Sequence, residues 1–133
     1  MTQAAVVADA NVLLDALLDA ADQGDAARKA LTGYTIAGPE HLQIETFQVI
    51  RRLLLANAVG QQAAQSAVTH LGQLQIQTIP TPLLLERMWQ LRENLTGYDA
   101  AYVATAEYLD IDLLTRDSGI HAAPGVMCTV SYP

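Results

Sequence analysis

The chain has little of what two large classes of protein depend on. One cysteine in 133 residues permits neither an internal disulfide nor a CxxC metal pair, which points to a reducing compartment and predicts a cytoplasmic protein. Cys128 then reads as a buried thiol. Positive charge is scarce as well: Lys29 is the sole lysine, and seven Lys and Arg face fourteen Asp and Glu for a formal net charge of -7. That balance argues against gripping nucleic acid through a broad basic face. The first 25 residues contain no Lys or Arg, and Asp9, Asp15 and Asp19 interrupt their apolar run, so neither a signal peptide nor a membrane span is expected. No Pro/Gly/Ser-rich linker, low-complexity tract or fixed-period repeat divides the sequence. With 51% hydrophobic residues to build a core, residues 1–133 are expected to form a single domain.

The patterning that is present alternates short apolar runs with helical periodicity. Ala4 to Ala8 reads as a strand. A helix follows in which Val12, Leu13, Leu14, Leu17 and Leu18 form the apolar side, and Asp15, Asp19 and Asp22 share a solvated face. A short helix capped by Asp25 is expected to end at Gly33. Further strands are expected at Tyr34 to Ala37, Gln75 to Ile79, Ile111 to Thr115 and Val126 to Val130. Helices are expected over Pro39 to Ala56, Val59 to Leu74, Thr81 to Leu95 and Tyr98 to Leu109. This order predicts an α/β fold, a three-layer α/β/α sandwich around a mainly parallel sheet of about five strands. Ligands of such sheets lie at the carboxyl ends of the strands, so chemistry is sought there.

Several acids fall at those ends, and each has an ordinary explanation. Asp9 follows the first strand and could cap the next helix. Asp99 could cap the helix beginning at Ala100, and Asp117-Ser118-Gly119 is a ready turn. Together they would repel one another without a cation. On the helix from Pro39, His41, Glu45, Gln48 and Arg52 share an arc of roughly 60°, whereas apolar residues take most of the circumference. So narrow a polar stripe predicts a helix that is mostly buried or in a subunit contact, with the stripe lining a groove; an ordinary solvated stripe remains open. Oxygen ligands without paired His or Cys favour Mg²⁺ or Mn²⁺ over zinc or iron. His70 reads as helix surface and His121 as a loop residue; His41, one turn before Glu45, is the histidine placed to touch the site. No GxSxG elbow or phosphate-binding GxxxxGK[ST] loop is present.

VVADANVLLDALL, the Glu45 helix, GYDAAYVATAEYLDIDLLTRD and the spacing between them resemble the PIN-domain nucleases, and most closely the VapC-type toxins of bacterial toxin-antitoxin pairs. The resemblance implies that Asp9, Glu45, Asp99 and Asp117 hold the metal, with Asn11 and Thr115 as polar support. Asp15, Asp110 and Asp112 do not match the family pattern and read as structural. The resemblance further implies a Mg²⁺-dependent endoribonuclease, with Mn²⁺ as a possible substitute, leaving 5'-phosphate and 3'-hydroxyl ends. A homodimer and a cognate antitoxin covering the site are implied too. Arg116, inside Thr-Arg-Asp, and Arg52, on the Glu45 stripe, are the candidates for RNA phosphate contacts; Arg116 could equally form an ion pair. The segment after Asp117 lacks the further acids or basic run common in the family.

Other readings fit less well. A haloacid-dehalogenase-like phosphatase needs an Asp where Asn11 stands, and a receiver domain needs a late lysine that this chain lacks. A non-catalytic PIN-like binding module would have no need of all four acids.

Overall fold

The computed structural model describes residues 3–133. Its centre is a five-stranded sheet in the order β3-β2-β1-β4-β5, formed by β1 (Ala5–Ala8), β2 (Thr35–Pro39), β3 (Ile76–Ile79), β4 (Leu113–Leu114) and β5 (Val130–Ser131). Every pairing is parallel. β1 is central, and its Val6, Val7 and Ala8 are buried, as a parallel strand covered on both faces requires.

The helices are α1 (Ala10–Leu18), α2 (Asp22–Leu31), α3 (Leu42–Leu55), α4 (Gln61–Gln73), α5 (Leu85–Gln90), α6 (Gly97–Leu109) and α7 (Ser118–Ala122). α1 packs on α2, α3 and α4, whereas α6 lies on β1, β2 and β4 with α5 behind it. This is the α/β layering the sequence predicts. From β1 the chain moves outward through β2 to β3, then crosses back to β4 on the other side of β1. The strand order therefore reverses between β1 and β4, and the crevice at their carboxyl ends is where such sheets place ligands.

Several expected boundaries shift for identifiable reasons. Gly38 and Pro39 continue β2 instead of ending it, paired with Thr78 and Ile79 of β3. The β1 side of that strand stops pairing at Ala37, so the missing N–H of Pro39 costs no ladder bond. α2 begins at Asp22, three residues before the expected Asp25 cap, because the Asp19 carboxylate accepts from the backbone N–H groups of Ala21 and Gly24, each at 2.9 Å. A Cβ on Gly24 would stand 1.8 Å from the Asp19 carbonyl oxygen, so only glycine fits this corner. The helix expected over Thr81 to Leu95 is broken into a 3₁₀ turn at Thr81–Leu83, α5, and irregular turns. Thr81 does not cap it; its hydroxyl and N–H both donate to Glu40 of the β2–α3 connection.

α6 is buried continuously from Ala100 to Ala106. Its four alanines in that stretch let the helix lie close on the sheet, and Tyr102, fully buried, is the one large side chain there. Asp110 closes α6 in a left-handed conformation (φ 55°), which a short polar side chain tolerates.

Candidate active site

Four acids arrive at the crevice from four different elements. Asp9 follows β1 directly and is 5% exposed. Although it stands at the N-cap position of α1, its side chain makes no capping bond. The carboxylate accepts instead from the Thr115 hydroxyl, 2.7 Å from Oδ2, and from the Asn11 amide at 3.4 Å. Asn11 also donates to Thr115 Oγ1 at 3.3 Å, and its own Oδ1 accepts from the Arg116 N–H at 3.2 Å. The expected supporting pair therefore braces Asp9 from both sides of the β1–β4 reversal.

Asp99 escapes the capping role that the sequence allows it. Thr96 is the N-cap of α6, and its hydroxyl accepts from the Asp99 N–H at 3.2 Å. The Asp99 carboxylate, half-buried in the first turn, is left for other work. Asp117 does cap: Oδ1 accepts from the Gly119 N–H at 2.8 Å, opening α7. One of its two oxygens is thus engaged locally.

Glu45 sits in the first turn of α3. Tyr102 of α6 presents its hydroxyl 3.5 Å from Glu45 Oε1, and His41 Nε2 is 3.4 Å from Oε2. The His41 ring meets Tyr98 and Tyr102 edge-on, with centroids 5.3 and 5.1 Å apart. Sequence reasoning places His41 beside Glu45 but misses the tyrosines. Their signal lies in the spacing: Tyr98 and Tyr102 are four residues apart on the α6 face that carries Asp99.

The carboxylates act on one another. Burial, followed by the fields of Glu45 and Asp99, drives the Asp9 carboxyl up to about 6 against the partial relief of the Thr115 bond. Asp99 is raised by desolvation and by Asp117 and Glu45. Tyr102 is held above the ordinary tyrosine range by burial and by Glu45 and Asp9, so its hydroxyl stays protonated and can donate.

Among the described residues, no three His, Cys, Asp or Glu side chains converge into a ready cage for an ion. An open set of oxygen donors suits Mg²⁺ or Mn²⁺ all the same, because Mg²⁺ is commonly held by one or two carboxylates with waters and substrate phosphate completing its shell. The residues fit such an ion, since a buried, raised acid among other acids is relieved by a cation.

For Arg116 the structure shows the ion pair, one of its two expected readings, and the expectations for Asp15 and His121 need correction. Arg116 does not face the crevice freely: its guanidinium is bonded through Nε and Nη2 to Asp15, the second contact at 3.1 Å. Asp15 in turn is 8% exposed, so it is not on a solvated face with Asp19 and Asp22. A pair joining the fold's first helix to its last crevice loop explains both. The α3 stripe does line a groove, of about 310 Å³, walled by His41, Ile44, Glu45, Gln48, Val49 and Arg52 with Tyr98. Its helix, however, is not sheathed in the core, because Ile44 is 72%, Phe47 46% and Leu55 64% exposed. His70 is on the surface of α4 as expected, and His121 belongs to α7 instead of a loop, its Nε2 2.9 Å from the Thr115 carbonyl and its ring stacked on Tyr132. Cys128 is half-buried and its thiol is pushed up to about 11 by burial, which leaves it unreactive.

The sequence profile described as the PIN domain matches residues 6–126. This chain belongs to the PIN-domain family. Among the curated relatives it is similar to, ribonuclease VapC1 of Mycobacterium tuberculosis is 38% identical over 93% of this chain and 94% of that protein. VapC ribonuclease Mb0985 of Mycobacterium bovis is 30% identical over 95% and 96%. The fold is shared with VapC20 of Mycobacterium tuberculosis, at a TM-score of 0.66 with 16% identity over 92% of this chain and 97% of the other. A toxin-antitoxin complex from Klebsiella pneumoniae contains a chain at TM-score 0.67 and 20% identity, covering 96% of each. The match of this PIN-domain chain extends from β1 to the residues just before β5, so all four acids lie inside it.

Proposed function

We propose that this PIN-domain protein is a Mg²⁺-dependent endoribonuclease and the toxin of a toxin-antitoxin pair. The observation that carries the reading is Asp9: a buried carboxylate with its pKa raised to about 6, braced by Thr115 and Asn11 and within the field of other acids. Such an arrangement is costly for a structural residue and useful for holding a cation. The similarity to proteins named as VapC ribonucleases supports the same assignment.

In this reading Asp9, Glu45, Asp99 and Asp117 are the metal ligands and catalytic acids. These four carboxylates would hold a Mg²⁺ or Mn²⁺ ion, which would supply the acidified water and the charge neutralisation that phosphodiester hydrolysis needs. Thr115 and Asn11 fix the orientation of the Asp9 carboxylate. The Tyr102 hydroxyl orients Glu45. The acids alone would repel a phosphodiester, so substrate binding requires the cation. Arg52, at the far end of the α3 groove, is the RNA phosphate contact; Arg116 serves structure through Asp15. The protein works in the cytoplasm, as residues 1–133 forming one domain, and among the described residues no helix is long and apolar enough to cross a membrane. The exposed Ile44, Phe47 and Leu55 of α3 favour coverage by a second subunit or by the antitoxin.

The test incubates purified protein with single-stranded RNA and, separately, with a phosphate monoester, each with Mg²⁺ or EDTA. Internal cleavage of RNA leaving 5'-phosphate and 3'-hydroxyl ends, abolished by EDTA, is expected. Release of phosphate from the monoester without RNA cleavage would overturn the assignment in favour of a phosphatase.

A further inference from the structure

The groove beside Glu45 carries more than the metal reading uses. Its floor and walls come from α3, and Tyr98 closes one side from the start of α6. Tyr98 is 68% exposed, yet its ring makes a T-shaped contact with His41, the two planes at 68°. It is therefore an aromatic ring held by His41 with most of its surface open to solvent, and the next residue in the chain is Asp99.

The cations sharpen the picture. Arg28 pairs with Asp25, Arg87 with Glu107 and Arg116 with Asp15, and the Arg92 guanidinium lies 4.2 Å over the Trp89 ring. Among the described residues that leaves Lys29, Arg51 and Arg52 with neither an ion pair nor a cation–π contact. Arg51 lines a separate groove between α3 and α4. Arg52 shares the Tyr98 groove with Glu45, two helical turns or about 10 Å along the axis from it. Between them Gln48 offers an amide with both donor and acceptor. An aromatic face, an amide and a free guanidinium in a row beside an acidic crevice match the components of one unpaired nucleotide: a base to stack, a base edge to bond, and a phosphate. A volume of about 310 Å³ is at the small end of the ligand-pocket range of about 300–1,000 Å³.

We infer that this groove is a nucleotide subsite for unpaired RNA flanking the cleaved bond, in which Tyr98 stacks the base, Gln48 bonds its edge and Arg52 holds the adjacent phosphate. The inference rests on the ribonuclease reading and deepens it: the substrate must present a single-stranded nucleotide here, and a duplex at this position is excluded because its bases are already stacked.

The experiment measures steady-state cleavage of short unstructured RNA by wild type, Tyr98→Ala, Tyr98→Trp and Arg52→Gln in Mg²⁺. Tyr98→Ala is expected to raise KM about tenfold, the scale of one lost base stack, with kcat within about twofold, and Tyr98→Trp to keep KM near wild type. Arg52→Gln is expected to raise KM and reduce the salt slope by about 0.7, one phosphate contact on a single strand. On RNA made abasic at one flanking nucleotide in turn, the wild-type and Tyr98→Ala enzymes should converge at one of the two positions. A wild-type protein that cleaves no RNA overturns the ribonuclease reading itself. Cleavage with KM unchanged in Tyr98→Ala, or a Tyr98→Ala defect equally large on every abasic substrate, overturns the subsite alone. A change in sedimentation of Tyr98→Ala without a change in KM assigns the face to a protein contact and also overturns it.

Discussion

The Thr115 hydroxyl donates to Asp9 Oδ2 at 2.7 Å, joining residues 106 positions apart across the point where the strand order reverses. The same Thr115 oxygen accepts from the Asp117 N–H at 3.0 Å and from the Asn11 amide at 3.3 Å. One buried threonine thereby ties two candidate ligands and their supporting asparagine into a single network, which is how partly satisfied acids are kept in a fixed orientation.

Replacing that threonine should alter the acidity of the site. The Thr115 bond is the largest influence lowering the Asp9 pKa, so Thr115→Val raises it further and Thr115→Ser preserves it. If deprotonation of Asp9 sets the acid limb of the cleavage rate, as the proposed role requires, that limb should move to higher pH in Thr115→Val. A pH–rate profile of the three proteins checks this, with Thr115→Ser expected to overlay wild type.

Asp9 should also burden the fold in the absence of metal. Its folded pKa of about 6 lies above the ordinary 3.8, so the folded state favours the neutral acid. The contribution to stability is fully present below the unfolded value and is lost as pH rises from about 4 through 6. Asp9→Asn, which keeps an acceptor for Thr115, should then be more stable than wild type at pH 8 in EDTA by up to about 3 kcal/mol, the value of some two pKa units, and should lose that advantage at pH 3.5. Denaturant unfolding at the two pH values measures the difference; an equal gain at both would refute the buried Asp9 charge as its origin.

Arg116 and Asp15 should behave as structural residues. Removing Arg116 leaves a carboxylate that is 8% exposed without its partner. Because the arginine side chain is itself 35% exposed, water relieves part of the loss, and Arg116→Ala should cost about 1–3 kcal/mol. Urea melts should show that loss, and the Arg116→Leu/Asp15→Leu pair should recover most of it. KM for RNA, measured well below the melting temperature, should change less than in Arg52→Gln.

Glycine at position 24 should matter for stability and be indifferent to chemistry. Gly24→Ala drives a methyl into the backbone of Asp19, and a thermal melt should drop by several degrees while the activity of the remaining folded protein is retained.

What could be seen in the sequence follows from what sequence periodicity encodes. The strand β1 and the helices α3, α4 and α6 are legible because their apolar residues repeat along a single element. Asp9 and Asp117 are legible because strand ends mark the ligand side of a parallel sheet. Glu45 and Asp99 needed the family resemblance, since a helical Glu and an acid after Gly-Tyr have ordinary explanations. The Asp15–Arg116 pair was hidden because its partners are 101 residues apart, and spacing says nothing about contacts at that range. The break between Leu83 and Leu85 was hidden because the apolar face continues through it. The exposure of Ile44 and Phe47 was hidden for a related reason: periodicity shows that a face is apolar and leaves open what covers it.

The acidity that opposes RNA binding comes in part from the proposed site itself. Four of the fourteen acids are the proposed ligands, which leaves ten against seven basic residues, and Asp15 is already matched by Arg116. The remaining balance still excludes tight nonspecific binding by charge alone, so RNA binding should weaken sharply in EDTA.

The most direct test titrates Mg²⁺ and Mn²⁺ against the RNA cleavage rate of wild type and of Asp9→Asn at pH 7.5. The expected result is no cleavage without divalent ion, a saturable rise in wild type, and a loss of at least about a hundredfold in Asp9→Asn at every metal concentration, the scale seen when a charge-stabilising group is removed. Cleavage that proceeds unchanged in EDTA and in Asp9→Asn would contradict a metal-dependent nuclease built on Asp9.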